Sequence, residues 1–213
     1  MPVKPYVIYD LEYATDRTAR NLNWGGFGQH REVLQIAAAI VTPGEDWGNL
    51  PTFNQLVKPV YTEHNAFIEE LTGISQQMLN DDGLDAEGAM QDFAGFVGNL
   101  PAFANGNDLN VLAETAGLQK FTLPVNPLNF ASMHVPLYTA LDTLCDFHWE
   151  DFPSGRLHQL LDIPLRAGLG QVHDALRDVW SLHVTLEALA QQGKDILSDL
   201  QEQMMLRKLR VVV

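Results

Sequence analysis

Tyr6-Val7-Ile8-Tyr9-Asp10-Leu11-Glu12-Tyr13 decides the reading of this chain. An apolar run enters it and two acids stand two residues apart inside it. On a strand, period-two alternation puts both carboxylates on one face, about 6–7 Å apart along the backbone. Two acids on one face of a buried strand carry a large desolvation cost, which a bound cation offsets. The bland alternative is a strand end that runs out into solvent, where acids cost little.

Working outward, residues 33–42 form a second buried strand. Val33-Leu34-Gln35-Ile36-Ala37-Ala38-Ala39-Ile40-Val41 is almost wholly apolar, as expected at the centre of a covered sheet. Between the two lies a loop over 16–31, rich in Gly, Asn and Arg and long enough to be functional. A third strand is expected at 53–59, ended by Pro59. Met90, Phe93, Val97 and Leu100 then repeat at helical spacing, and Pro101 stops that helix. Residues 101–104 read as a short apolar strand. Asp108 to Ala116 reads as a short helix with Gly117 at its C-terminal end. Residues 129–134 are a weak strand; 136–148 and 154–162 look helical. The longest helical pattern covers about 174 to 192, with Leu176, Val179, Trp180, His183 and Leu186 on one side. The tail from Arg207 to Val213 is basic, then β-prone. Strands followed by alternating helices and strands give an α/β fold, a mixed central sheet with helices packed against it.

Composition narrows the class. At 213 residues, 46% hydrophobic and 19% charged, the chain suits one globular domain with a sizeable core. The single cysteine, Cys145, forms no intramolecular disulfide, and no N-terminal apolar signal is visible. Both point to a reducing cytoplasm. No run approaches the roughly 18 apolar residues of a membrane span. Thirteen Lys plus Arg against 27 Asp plus Glu give a net charge of −14, without the basic stripe of a long nucleic-acid interface. Two readings remain. A short or single-stranded substrate is held mainly at its end by metal, or a small basic mouth made by Arg17, Arg20 and Arg31 receives it. Acidity that only maintains solubility is the bland reading.

Late in the chain stands His173-Asp174-Ala175-Leu176-Arg177-Asp178. Five helical residues turn through about 500°, so His173 and Asp178 share no helical face. They converge only if Asp174 caps the helix and His173 precedes it. A histidine there is placed to act as a base near neutral pH. Asp108, in Asn105-Gly106-Asn107-Asp108, is the remaining candidate acid, and by itself reads as a helix N-cap. The other histidines (His30, His64, His134, His148, His158 and His183) lack metal-ligand spacing and read as surface or satisfied core residues. Gly25-Gly26-Phe27-Gly28 lacks the strand and helix context of a dinucleotide loop.

In order, these residues resemble the DEDDh family of 3′–5′ exonucleases. Asp10-Leu11-Glu12 matches the first motif, Asn105-Gly106-Asn107-Asp108 resembles the second, and His173-Asp174-Ala175-Leu176-Arg177-Asp178 matches the third. Arg31 to Ala37, the Thr72-Gly73-Ile74 turn, and Ser154 through Leu165 resemble the connecting pieces, so the likeness runs over about 5 to 190. Tyr13, Asn107 and Val179 depart from the common residues. The resemblance implies a ribonuclease H-like fold, with an exonuclease domain over 1–193 and a C-terminal helix and basic, β-prone tail over 194–213. It implies two Mg²⁺ or Mn²⁺ ions held by Asp10, Glu12, Asp108 and Asp178, about 3.5–4 Å apart. His173 would be the general base. Glu12 and the backbone of Leu11 and Tyr13 would meet the terminal sugar, with Asn107 also on the substrate side. The implied partner is single-stranded nucleic acid with a free 3′ end; a homodimer is also considered. The alternative is a non-catalytic module on the same fold that binds nucleic acid or protein.

Overall fold

The computed structural model describes residues 4–148 and 152–211. Its sheet has five strands: β1 (Tyr6–Tyr13), β2 (Val33–Val41), β3 (Thr52–Leu56), β4 (Ala102–Ala104) and β5 (Phe130–Ser132). Their order is β3-β2-β1-β4-β5. β2 runs antiparallel to both β1 and β3, whereas β4 runs parallel to β1 and to β5. The expected mixed sheet is therefore present. The third strand stops at Leu56, short of the expected 59.

Alternation along β1 divides the core. Tyr6 and Ile8 join Ala37, Ala39 and Phe103 on one face, under helix α6 (Ala175–Gln191). Val7, Tyr9 and Leu11 join Ile36 and Ala38 on the other, under α3 (Ala86–Val97) and α4 (Asp108–Gln119). Two short helices, α1 (Ala66–Thr72) and α2 (Gln76–Asp82), flank the β3 side. Asn65 and Ser75 cap them through side-chain oxygens, and Gly73 ends α1 with φ 76°. The remaining helices are α5 (His134–Asp142) and α7 (Ile196–Val211), and residues Ser154–Leu161 form a 3₁₀ helix.

Several expectations are corrected. Gly117 does not end α4: the helix runs on to Gln119, and Lys120 takes the left-handed conformation at φ 63°. The second half of 136–148 is not helical, since α5 ends at Asp142. The tail is not β-structured as far as Val211. Leu197, Leu200 and Met204 recur at helical spacing, are buried in the α6-side core, and carry α7 through the basic residues. Val212 and Val213 lie outside the described residues. Among the described residues, no helix is long and apolar enough to cross a membrane.

His183 departs from the satisfied core residue expected. It is buried on α6 against Trp180, yet neither ring nitrogen has a hydrogen-bond partner among the described residues. Glu187 Oε2 is 3.7 Å from Nε2, beyond hydrogen-bonding distance. Burial pushes the imidazole down to about 4, so it stays neutral and the contact is no ion pair at neutral pH. His183→Leu should therefore stabilise the fold by about 1 kcal/mol or more at pH 7, by removing a buried unsatisfied group. The unfolded imidazole takes up a proton below about pH 6.5 and the folded one does not. The gain should thus widen by roughly 2 kcal/mol on going to pH 5. Urea titrations at the two pH values check this; a destabilised variant at both would show that His183 has a partner it needs.

Candidate active site

Asp10 and Glu12 continue the Tyr6–Ile8 face of β1, so both carboxylates point towards the N-terminal end of α6. β4 pairs with β1 only at Val7 and Ile8. Beyond that register the parallel pair has ended, and the space past the carboxyl ends of the two strands is a usual ligand position in α/β sheets. Asp108 enters it from the first residue of α4. It is not the N-cap: Asn107 precedes the helix, without a side-chain cap bond. Instead, the Asp108 carboxylate accepts the backbone N–H of Leu11, so β1 fixes the acid in place.

The third motif folds as its spacing requires. Asp174 caps α6, its Oδ1 accepting from Leu176 N at 3.0 Å and Arg177 N at 3.4 Å. His173 sits just outside with φ 68°, a left-handed conformation uncommon for a non-glycine residue and often found at functional sites. Its backbone N–H donates to Asp178 Oδ1 at 3.3 Å. Ligand atoms of Glu12, His173 and Asp178 all lie within 4.8 Å of one another. All four acids are buried, from 9% exposed at Asp10 to 2% at Asp178.

Such crowding has an electrostatic signature. Burial, then the neighbouring Asp178 and Asp108, push Asp10 and Glu12 well above the usual carboxylate range. Burial lifts Asp108 to about 6 and Asp178 to about 7, although backbone N–H groups of His173 and Gly155 favour the Asp178 carboxylate. Oxygen-rich, buried, mutually repelling carboxylates suit a hard divalent cation, whose charge removes the repulsion. The donor set therefore fits Mg²⁺ or Mn²⁺, with the His173 imidazole in the same cluster. Burial, with Arg156 nearby, holds His173 below its ordinary value and thus unprotonated at neutral pH.

The other expected contacts are mixed. Leu11 is buried with the α3–α4 core, which leaves only its backbone towards that space. The Tyr13 ring packs on Trp24, 5.6 Å between centroids, and its hydroxyl is pushed up to about 12, chiefly by burial. Asn107 is exposed at the mouth. The small basic mouth is not formed as expected. Arg17 pairs with Glu70 and Arg31 with Glu114, so two of its three arginines are already neutralised.

Positions outside the motifs hold the site together. Ser154 hydrogen-bonds the Asp10 carboxylate and accepts from Asn105 Nδ2 at 3.1 Å, while Asn105 Oδ1 meets His134 Nδ1 at 3.1 Å. Gln35, opposite Glu12 across β1 and β2, accepts the buried backbone N–H of Ala175 at 3.1 Å and so ties the first turn of α6 to the sheet. Gly155 leaves no room for a side chain, because a Cβ there would lie 2.2 Å from Asp178 Oδ1. Gly155→Ala should displace that carboxylate and cut activity by about tenfold or more, with 10–100-fold typical of lost metal-site support. Parent-like activity with parent-like metal dependence would show that Asp178 is free to move aside.

Comparison with known proteins agrees with this geometry. The RNase T exonuclease family model matches residues 7–181. No curated protein has a matching sequence. The nuclease domain of 3'hExo, a DEDDh family member solved bound to rAMP, superposes with a TM-score of 0.65 at 16% identity, over 90% of this chain and 94% of that one. Exonuclease I from Methylocaldum szegediense gives 0.64 at 17%, over 98% of this chain and 46% of its own. The zinc-bound E. coli ExoI–ssDNA complex gives 0.62 at 13%, over 99% and 46%. The chain thus spans about half the length of the exonuclease I proteins, and at these identities the likeness speaks for the fold, which is ribonuclease H-like. The family match covers most of the chain and the fold is that of its structural neighbours, and the chain belongs to the exonuclease family.

Proposed function

We propose that the chain is a divalent-metal-dependent 3′–5′ exonuclease acting on single-stranded nucleic acid and releasing 5′-mononucleotides. The observation that carries this is the burial of four carboxylates together, with ligand atoms of Glu12, His173 and Asp178 within 4.8 Å of one another. Asp10, Glu12, Asp108 and Asp178 would hold two ions, Mg²⁺ or Mn²⁺. When bound, the ions supply Lewis acidity to the phosphodiester and neutralise the acids. His173 takes the proton of the attacking water at a ring nitrogen. Ser154 orients Asp10 and the Leu11 N–H orients Asp108. Backbone of Leu11 and Tyr13 meets the terminal sugar, and Asn107 contacts substrate at the mouth. The exonuclease unit is residues 1–193, with α7 seated against α5.

A single strand fits better than a duplex, because buried acids receive a frayed end more readily than a paired one. An oligonucleotide blocked at its 3′ end should resist cleavage, and one blocked at its 5′ end should be digested normally. Matched RNA and DNA strands, labelled at the 5′ end and incubated with Mg²⁺ or Mn²⁺, read both direction and sugar preference. Rapid cutting of closed circular single strands would establish an endonuclease instead. Intact binding without cleavage under either metal would favour the non-catalytic module.

A further inference from the structure

A cavity of about 370 Å³ is walled by the loop after β1 and by the segment that leads into α1. The chain leaving β1 runs into it: Ala14 and Thr15 line the wall, two and three residues past Glu12, or roughly 7–10 Å of extended chain. Helix α1 links the same cavity to the other side of the acid cluster. Its cap, Asn65, donates to Thr15 O at 3.0 Å, and at its far end Leu71 O accepts from Gln171, two residues before His173. Two elements therefore connect the cavity wall to the acid cluster.

What lines it points to a class of ligand. Several polar groups of the wall are bonded within the loop itself. Asp16 Oδ1 accepts from Thr18 N and Ala19 N, and Gln29 Nε2 donates to Asp16 Oδ2. Gly26 N donates to Gln29 Oε1, and Asn65 Oδ1 caps α1. Trp24 is also fixed, its Nε1 donating to Ala14 O at 2.9 Å. The rings of Phe27, fully exposed, and Tyr61, 50% exposed, are left open on the rim. Asp16, held ionised by hydrogen bonds from Thr18, makes the wall a poor seat for phosphate. Exposed aromatic faces on the rim of such a wall bind a flat π-system, and every nucleobase presents one.

We propose that this cavity is a base-stacking subsite for a nucleotide upstream of the scissile bond in a single-stranded substrate, with Phe27 and Tyr61 as its platforms. The inference rests on the exonuclease reading. It further assigns recognition chiefly to stacking, which is tolerant of base identity.

Two substrates separate the possibilities in the full-length protein with Mn²⁺. One is the p-nitrophenyl ester of thymidine 5′-monophosphate, which has no upstream base; the other is a single-stranded oligothymidylate. The double variant Phe27→Ala, Tyr61→Ala should raise KM for the oligomer by about 5- to 100-fold, the usual worth of a lost base–aromatic stack. Its kcat, and its hydrolysis of the ester, should match the parent. Phe27→Trp should retain parental KM. An abasic residue stepped along the oligomer should weaken parental binding at one upstream position and cost the double variant nothing there. Unchanged oligomer KM in the double variant, an equal loss on both substrates, or an abasic penalty of the same size in both proteins would each overturn the subsite. If the parent hydrolyses neither substrate, the exonuclease reading falls and the subsite with it; a parent active on the ester isolates the subsite as the only point in dispute.

Discussion

Asp10→Asn should make the metal-free protein more stable while abolishing its activity. Asp10 is buried among Asp178, Asp108 and Glu12, which with desolvation drive its carboxyl well above the ordinary range. Removing its charge relieves that repulsion, so in chelator at pH 8 the variant should melt above the parent. The parent should gain strongly from divalent ion: at a concentration 100-fold above Kd the gain is about 2.7 kcal/mol, or roughly 5–10 °C for a chain of this size. The variant should lose most of that gain and at least about 10²–10³-fold in rate, as when a fixed electrostatic group is deleted. The sign of the pH dependence is set by the raised acids. They bind protons more tightly in the folded than in the unfolded state, so the metal-free fold loses stability as pH rises from about 4 through the values near 6 and 7 for Asp108 and Asp178. Metal competes with those protons. The metal-induced rise in Tm should therefore be small at pH 5 and full by pH 8. A rise of equal size at both pH values, or an Asp10→Asn protein that responds to metal like the parent, contradicts the assignment.

His173→Ala should lower kcat by about 10²–10⁴-fold, the usual cost of losing a positioned base. The residue is half-buried, strained at φ 68°, and held by its own backbone against Asp178. Burial keeps its imidazole unprotonated at neutral pH, the form a base requires. Because the acids remain, the rise in Tm on adding Mn²⁺ should survive the substitution, although His173 shares a cluster with Glu12 and Asp178. Loss of the metal response together with activity would make His173 a ligand and not a base. His183→Leu, ten residues on and inside α6, supplies the control, with the chemical step unchanged. Inactivation by His183→Leu and tolerance of His173→Ala would show that the wrong histidine had been chosen.

The features legible in the sequence are those set by local geometry. Period-two spacing places Asp10 and Glu12 on one face, and the Asp174 cap brings His173 back towards Asp178. The two long strands and α6 follow from apolar runs and periodicity that no neighbour overrides. What escaped depends on partners distant in the chain. Arg17 and Arg31 look like a basic mouth until Glu70 and Glu114, 53 and 83 residues away, neutralise them. Gln35 reads as one polar residue in an apolar strand, and only folding sets it under Ala175, 140 positions on. Ser154 and Gly155 look like a turn after Pro153; their roles beside Asp10 and Asp178 exist only in three dimensions. The β-prone tail fails for a related reason. Local propensity favours a strand, but the buried stripe of Leu197, Leu200 and Met204 carries the helix through.

The most direct test of the central claim is to locate the metal. Crystals of the parent soaked in Mn²⁺ and measured at the manganese edge should show two anomalous peaks among Asp10, Glu12, Asp108 and Asp178, and Asp10→Asn crystals should lose at least one of them. Manganese bound elsewhere on the chain, with none inside the acid cluster of the parent, would contradict the account.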